Sequence, residues 1–486
     1  MTVFARTFHL RPLAVLAMGL ALGACTLGPD YQRPDLPLGS EFRQAEGWKN
    51  ATPADLLERG PWWTLYGDAE LDALVARLNR SNQDLAAAEA QYRQARALVR
   101  SARSQLFPTL SGSASGTRTG QGSGVQGSSG TSGVGESYQL GLDATWEVDL
   151  WGRLRRNLEA SRADMQASAA DLAAVRLSLQ AELVQTYLQL RVMDAQQRLL
   201  EQTVEAYARS LRLTENQYRA GIVPKSDVAQ ARTQLKQTQA EAIDLKWQRA
   251  QLEHAIAVLV GVPPSELQLA GRDGVPRLPA LPMALPSQLL ERRPDIAASE
   301  RSVMAANAAI GIARTAWFPE LTLSASGGYR NSVFSNLIEV PNRFWSLGPQ
   351  LAVTLLDFGG RRAEVERAEA AYDQTVASYR QTVLESLREV EDALVQLRVL
   401  GEEAEVQREA LESAQESLRL IENQYRAGTV DYLSVATVQT TALNNERTNL
   451  GLLGDRLLAS VQLIAALGGG WDSSLLQGEP PLATDR

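Results

Sequence analysis

Hydrophobic and polar residues alternate with a period of two in several short segments of the chain. Residues 138–150 alternate without a break, and residues 321–326 and 347–355 repeat the pattern. In the first segment the two faces are Tyr138, Leu140, Leu142, Ala144, Trp146, Val148 and Leu150 against Gln139, Gly141, Asp143, Thr145, Glu147 and Asp149. Such alternation is typical of a strand with one apolar and one wet face. Residues 108–115 show a weaker form of the same alternation. We therefore predict four strands, at 107–117, 137–150, 318–330 and 346–357.

Most of the remaining chain has the pattern of very long helices. Residues 152–218 contain no proline and no internal glycine, and their apolar positions recur every three or four residues. At about 1.5 Å per residue, such a helix spans roughly 100 Å. Residues 361–425 repeat this pattern with only Gly401 inside. Each long helix runs into Arg-Ala-Gly, and glycine is favoured just past a helix end. We therefore predict two coiled-coil hairpins, at 152–260 and 360–467.

The chain contains the same unit twice. Residues 210–221 recur as 417–428 with eleven of twelve positions identical, at an offset of 207 residues. Both copies have a Phe-Pro junction before their strands and a Gly-Arg start to the long helix. The duplication predicts a first repeat at 68–260 and a second at 288–467. A connector at 261–287 and a C-terminal tail at 468–486 complete the division.

The strands fit a membrane barrel better than a soluble sandwich, which is the alternative. Their lengths match the roughly 9–11 residues that cross a bilayer. Aromatic residues lie near the predicted strand ends, where membrane barrels carry an aromatic girdle; they are Trp146, Trp151, Trp317, Phe318 and Phe358. Four strands cannot close a barrel, and open edges in lipid leave backbone groups unpaired. The chain must therefore oligomerise, although the pattern does not distinguish three copies from two or four.

The N-terminus has the form of a lipoprotein leader. Arg6 and Arg11 precede an apolar stretch, and small residues lead to Cys25. We predict a signal peptide at 1–24 and a lipid on Cys25, the only cysteine of the chain. Thr26 follows the cysteine, and the absence of aspartate there favours the outer membrane. Residues 25–67 are then predicted to form a lipidated tether and belt segment.

Composition narrows the chemistry that the chain can perform. Its 486 residues carry a formal charge of −8, which argues against nucleic-acid binding. With His254 as the only histidine after the leader, a Cys/His zinc site is excluded by count. Two alternatives to a conduit stay open: a periplasmic scaffold or adhesin lipoprotein without a pore, and a carboxylate-pair hydrolase. The unbroken alternation of the predicted strands argues against the scaffold or adhesin. The acidic residues have the spacing of exposed positions on helices, which argues against the hydrolase.

These features together resemble the TolC-like outer membrane factors, in the lipidated branch that serves resistance-nodulation-division pumps. The resemblance covers nearly all of the mature chain. It rests on residues 28–31, on Trp62-Trp63 with Asp68 and Leu71, and on the Phe-Pro junctions and Tyr-Arg-Ala-Gly turns in their order. It implies an α+β membrane protein that closes as a homotrimer, with a 12-stranded β-barrel in the outer membrane and a 12-helix α-barrel in the periplasm. It also implies an adaptor protein at the helical tips, an inner-membrane pump beyond it, no enzymatic activity and no cofactor apart from the lipid.

The resemblance assigns roles to particular residues of the two turns. Those expected to contact the adaptor are Gly221, Ile222, Val223, Gly428, Thr429 and Val430. Asp227 and Tyr425 align with a pair that links neighbouring helices in the closed tip. The alternative is that Asp227 only complements the dipole of the returning helix. Relatives often carry an acidic ring at the narrowest point, but this chain has Ser434 and Thr437 there. The identity of the transported substrate does not follow from the sequence.

Overall fold

The computed structural model describes residues 26–36, 61–120, 134–279 and 292–471, so Cys25 and its predicted lipid lie outside the described residues. The helices and strands are α1 (Ala69–Ser81), α2 (Gln83–Ser104), β1 (Thr109–Gly120), β2 (Val134–Val148), α3 (Arg153–Arg219), α4 (Lys225–Leu259), α5 (Pro294–Thr315), β3 (Glu320–Asn331), β4 (Arg343–Ala352), α6 (Gly360–Arg426) and α7 (Tyr432–Ala466). Short 3-10 turns lie between some of these elements. Each repeat thus has the order helix, strand, strand, long helix, returning helix.

The four strands form one antiparallel sheet in the order β1-β2-β3-β4. The register aligns faces of the same kind, for example Leu140 with Tyr329 and Thr145 with Ser324. Large apolar side chains of one face stay exposed in the single chain; they include Leu110, Leu140, Leu142, Leu347 and Leu351. We call this the apolar face, and the face that carries Gln139 and Asp143 the wet face. The sheet leaves β1 and β4 as its two edges.

Two of the predicted strands end later in the sequence than in the structure. We predicted 137–150 and 346–357, but β2 ends at Val148 and β4 runs from Arg343 to Ala352. β4 ends at Ala352 because its register partner Glu320 is the first residue of β3, and after each strand an aspartate caps the next helix. Asp149 accepts the backbone N–H of Leu154 at 3.1 Å, and Asp357 accepts that of Arg361 at 2.9 Å. Such a carboxylate satisfies a backbone N–H group that has no partner in the first turn of the helix.

A first compact unit contains Gln91–Ser168, Ala298–Tyr379 and the described residues of Met1–Asp35. Residues 26–35 are held in this unit by a buried arginine. Arg156, with a side chain only 4% exposed, donates to the Leu27 carbonyl at 3.2 Å and to the Asp30 carboxylate at 3.1 Å. Gly28 lies so close to helix α5 that a Cβ there would be 2.5 Å from the Cα of Gly311.

A second unit contains Ala169–Ala297, Arg380–Arg486 and Leu36–Ala90, so far as they are described. Its largest apolar core joins α1 to the middle of α3 and the ends of α4 and α7. Buried Tyr187 donates to the Asp68 carboxylate at 2.7 Å, and Asp68 also caps α1. Part of the predicted connector packs on this unit, because Arg249 donates to the Leu269 carbonyl at 2.7 Å. The two turns discussed next also belong to this unit.

Candidate functional site at the two helical turns

The turns after α3 and α6 have the same backbone geometry. Gly221 and Gly428 adopt φ angles of +76° and +77°, which L-residues with a side chain rarely adopt. The residue after each glycine donates its N–H to the carbonyl five residues earlier, at 2.9 Å for Ile222 and 3.0 Å for Thr429. This arrangement is a Schellman motif, which stops a helix sharply. The Arg-Ala-Gly sequences therefore end both helices as predicted.

The side chains at these turns differ in exposure and polarity. Ile222 is 68% exposed, while Val223 and Val430 are half-buried. Thr429 is exposed, and its hydroxyl donates to the Gln424 carbonyl at 3.0 Å. An exposed isoleucine at a tight turn offers a small apolar contact point, since the described residues leave most of its side chain open.

The helices that return from the two turns start differently. Helix α7 is capped by Asp431, whose carboxylate accepts from the Ser434 N–H at 3.0 Å and from its hydroxyl at 2.7 Å. The Ser434 hydroxyl, followed by the backbone N–H, holds the pKa of Asp431 below its usual range. Helix α4 has Pro224 at its N-cap, which has no side-chain acceptor, and Asp227 lies in its first turn. The hydroxyl of Thr437 donates to the Leu433 carbonyl at 2.8 Å.

Tyr425 is buried between the two hairpins of the chain. Its side chain is 4% exposed, and its hydroxyl lies 3.0 Å from that of Thr214 on α3. Its ring packs edge-on against Tyr432 with centroids 5.8 Å apart. Burial raises the pKa of Tyr425, and the charge of Asp227 adds to this effect. Within the described residues Asp227 and Tyr425 make no direct hydrogen bond, and Asp227 accepts one from Ser226 at 3.3 Å.

Two further contacts join the hairpins near this tyrosine. The Tyr432 hydroxyl donates to the Gln234 side-chain oxygen at 3.1 Å. The Gln439 amide donates to the Ser210 hydroxyl on α3 at 3.3 Å, and at the same distance to Glu422 within its own hairpin. We call these contacts and the Thr214–Tyr425 contact the hairpin clasp. Neither the repeat pattern nor the family resemblance predicts Thr214, Gln234 or Gln439 as site residues. The sequence does set Thr214 apart, because it is the one position at which the two twelve-residue repeat segments differ.

The described residues contain no group of three or more His, Cys, Asp or Glu side chains that could hold a metal ion. None of the described helices has a stretch that is both long and apolar enough to cross a membrane.

Comparison with known proteins gives consistent matches along the chain. The family model for outer membrane efflux proteins matches twice, over residues 74–262 and 285–469. The cation efflux system protein CusC of Escherichia coli is 31% identical over 464 residues, which cover 94% of this chain and 98% of the relative. The toluene efflux pump outer membrane protein TtgI of Pseudomonas putida is 33% identical over 458 residues, which cover 94% and 97%.

Among solved structures, the outer-membrane channel OprN is 34% identical with a TM-score of 0.84, over 92% of this chain and all of that one. The sheet, the paired long hairpins and the matched turns define an outer-membrane channel subunit. The chain belongs to the outer membrane efflux protein family. The predictions of family, fold class, outer-membrane location and efflux function are thereby confirmed. Lipidation of Cys25 and the roles of the turn residues stay predictions.

Proposed function

We propose that the protein is the passive exit duct of a tripartite efflux system and works as a homotrimer that an adaptor opens at its helical turns. The observation that carries this proposal is the four-stranded sheet. It has an exposed apolar face, a wet face and two free edges in one chain. A sheet with these properties is stable in a bilayer only when further copies pair with its edges.

Three copies satisfy this requirement and enclose a pore. Twelve strands are an even number within the range of bacterial outer-membrane barrels. Barrels of eight strands fill their interior with side chains, while those of sixteen or more leave a wide channel. The wet face of this sheet is rich in serine, threonine and glycine, so a twelve-stranded barrel would keep an open, water-filled lumen.

We further propose that the helical turns contact the adaptor. The exposed Ile222, with half-buried Val223 and Val430 beside it, supplies the apolar part of this contact. Gly221 and Gly428 keep the turns tight, so that both returning helices start within a few residues. Thr429 gives the second turn a polar surface, and the two turns would therefore contact different parts of the partner.

The hairpin clasp supports a gate at the same place. Opening the tip requires the two hairpins of each chain to move apart, and this movement would break the Thr214–Tyr425 and Gln234–Tyr432 contacts. Each contact would contribute about 1 kcal/mol. Three copies of such contacts shift the equilibrium of the tip toward the closed state, and binding of the adaptor can shift it back. Asp227 has a part in the gate through its charge beside Tyr425 or through a neighbouring chain.

Cargo selection belongs to the pump in this proposal. The two relatives described above are named for cations and for toluene, which share no chemistry. At the narrowest point Ser434 and Thr437 supply hydroxyl groups instead of acids, so the tip would not concentrate cations. The chain has no catalytic part in the transport, and a lipid on Cys25 would add membrane anchoring.

The test uses a tip substitution with a matched control. Ile222→Asp places a charge in the proposed adaptor contact, while Ile338→Asp changes an equally exposed isoleucine (70%) between β3 and β4. Full-length trimer from detergent-solubilised membranes is used to capture the adaptor encoded with its pump. We expect Ile222→Asp to reduce capture at least tenfold and Ile338→Asp to leave it unchanged. Equal capture by both variants would contradict the proposed contact, and a monomeric wild-type protein would contradict the duct.

A further inference from the structure

The wet face of the sheet is composed mainly of small, uncharged side chains. Its central positions are Ser111, Ser113, Ser115, Gly141, Thr145, Thr322, Ser324, Ser326, Gly328, Ser346 and Gly348. Asp143 and Arg330 lie among them, on neighbouring strands. Two further acids of this face, Glu147 and Glu320, lie at the end of the sheet next to helix α3, where Arg153 donates to the Glu147 carboxylate at 2.9 Å and Glu320 is close enough to act on the same guanidinium. Away from that end, Asp143 and Arg330 are the charged residues that this face would present to water in the lumen.

Arg330 is held on the wet face by neutral groups. Its guanidinium donates twice to the side-chain oxygen of Gln139, at 3.0 and 2.7 Å. It also lies over the ring of Phe344, 5.2 Å from the centroid. These contacts fix the position of the guanidinium without cancelling its charge. Arg330 is exposed and is the penultimate residue of β3, at the end away from helix α5.

Asp143 lies deeper in the sheet and has no cation beside it. Its register partners are Ser111 on β1 and Ser326 on β3. The carboxylate is exposed, and no described residue forms an ion pair with it. Arg330 aligns with Gln139, four residues before Asp143 on β2. At about 3.3 Å per residue the two levels are about 13 Å apart along the strand, which exceeds a Debye length of about 8 Å in physiological salt.

We propose that Arg330 and Asp143 form two stacked rings of opposite charge in the barrel lumen and set the charge preference of the exit. The inference rests on the proposed trimeric duct, in which each level would contain three equal charges. The arginine ring lies at the outer mouth and favours anions. The aspartate ring lies nearer the periplasm and favours cations. Because salt screens one level from the other, each ring acts on passing ions separately.

The experiment measures ion selectivity of the full-length trimer in planar lipid bilayers under a tenfold KCl gradient. Arg330→Gln removes the outer ring, and Asp143→Asn removes the inner one. We expect the ratio of potassium to chloride permeability to rise about two- to fourfold in the first variant and to fall about two- to fourfold in the second. Arg330→Lys keeps the charge and should keep the wild-type reversal potential.

Arg118→Gln is the matched control. It removes one positive charge from β1 near the same end of the sheet, but on the apolar face, where Arg118 is opposite Glu136. We expect no change in reversal potential. If wild-type protein forms no ion-conducting pores even with the adaptor present, the proposed duct itself is wrong. If pores form but Arg330→Gln and Asp143→Asn leave the reversal potential unchanged, or Arg118→Gln shifts it equally, the charge rings are wrong and the duct stands.

Discussion

Thr214 shows how a single residue makes two copies of one segment behave differently. The tyrosine of the second copy, Tyr425, is buried and bonded to Thr214, whereas the matching Tyr218 of the first copy is 44% exposed. The position of Thr214 is occupied by Ile421 in the second copy, and isoleucine has no hydroxyl to offer Tyr218. The duplicated chain therefore forms one clasp between its hairpins instead of two symmetric ones.

This asymmetry predicts different effects for the same change at the two tyrosines. Tyr425→Phe keeps the ring packed against Tyr432 and removes the hydroxyl bonded to Thr214. Thr214 keeps its other bond, to the Ser210 carbonyl at 3.0 Å, so the loss is that of one hydrogen bond. At about 1 kcal/mol, the open state of the tip should become about fivefold more populated per protomer. The measurement is the open probability of single channels.

Tyr218→Phe serves as the control for this prediction. The substitution has the same chemistry in the matching turn, but it removes an exposed hydroxyl. We expect the open probability to stay at the wild-type value. The clasp would lose its proposed role if both variants opened the channel equally, or if Tyr425→Phe left it as closed as before.

The sequence predicted the glycine turns well, because a helix that ends at Arg-Ala-Gly has few other ways to stop. The partners of Tyr425 could not be predicted in the same way. Helical periodicity tells which face of a helix is buried but not which residue of another helix lies opposite. The resemblance directed attention to Asp227, whose charge raises the pKa of Tyr425 without a direct bond in one chain. Only the mismatch at Thr214 carried information about this contact.

At the scale of elements, aspartates set the junctions between strands and long helices. Asp149 binds the guanidinium of Arg155 as well as its backbone N–H, and Asp357 binds Arg361 in the same two ways. Arginines at a helix start oppose the helix dipole, and these carboxylates compensate for it. Period-two alternation continues through Asp149, which is why pattern alone extended β2 too far.

A second element-scale feature, the contact of segment 26–36 with helix α5, leads to a prediction. A Cβ on Gly311 would lie 2.8 Å from the Leu27 carbonyl oxygen and 3.1 Å from Cγ of Arg156. Gly311→Ala should therefore push the segment out of its groove, at a cost of about 1–3 kcal/mol. We expect hydrogen exchange of the backbone amides in 26–36 to speed up about tenfold, as measured by mass spectrometry of that peptide.

Gly401→Ala is the matched control, because Gly401 also lies inside a helix but has nothing within 4 Å of its added Cβ. Alanine stabilises a helix interior over glycine by about 0.5–1 kcal/mol, so this variant should be slightly more stable. Exchange in 26–36 should not change. Slow exchange in both variants would show that the segment does not depend on the close approach of Gly28 to Gly311.

At the scale of the whole molecule, the duplication made most of the architecture predictable. Two copies of each pattern confirm one another, so the four strands and the long hairpins were all identified from the sequence. The antiparallel order β1-β2-β3-β4 is a further consequence, since each pair is joined within or between the copies without a crossing. The number of chains did not follow from pattern, because a free edge requires a partner but does not count how many partners close the ring.

The free edges of the sheet allow the number of chains in the barrel to be measured directly. If β1 of one chain pairs with β4 of the next, each chain has one β1 edge and one β4 edge, and the head-to-tail contact closes a ring. Ser113 on β1 and Gly348 on β4 both lie on the wet face near the middle of their strands. A chain with Ser113→Cys and Gly348→Cys should form disulfides between neighbours, provided that the register brings the two positions opposite each other. Pairing Ser113→Cys with Ser346→Cys or Gln350→Cys covers the adjacent registers on the same face.

Oxidised protein in denaturing gels should then give a ladder that ends at three chains, because a closed ring of three has no free edge left to extend. The single variants provide the control. Where β1 of one chain meets β4 of the next, only one of the two edges then carries a cysteine, so no disulfide can form and the gel should show a monomer band. Ladders that end at two or four chains would require a different barrel, and ladders that continue without a limit would mean that the edges form open assemblies. A terminal band at three chains would fix the barrel at twelve strands from the four observed per chain.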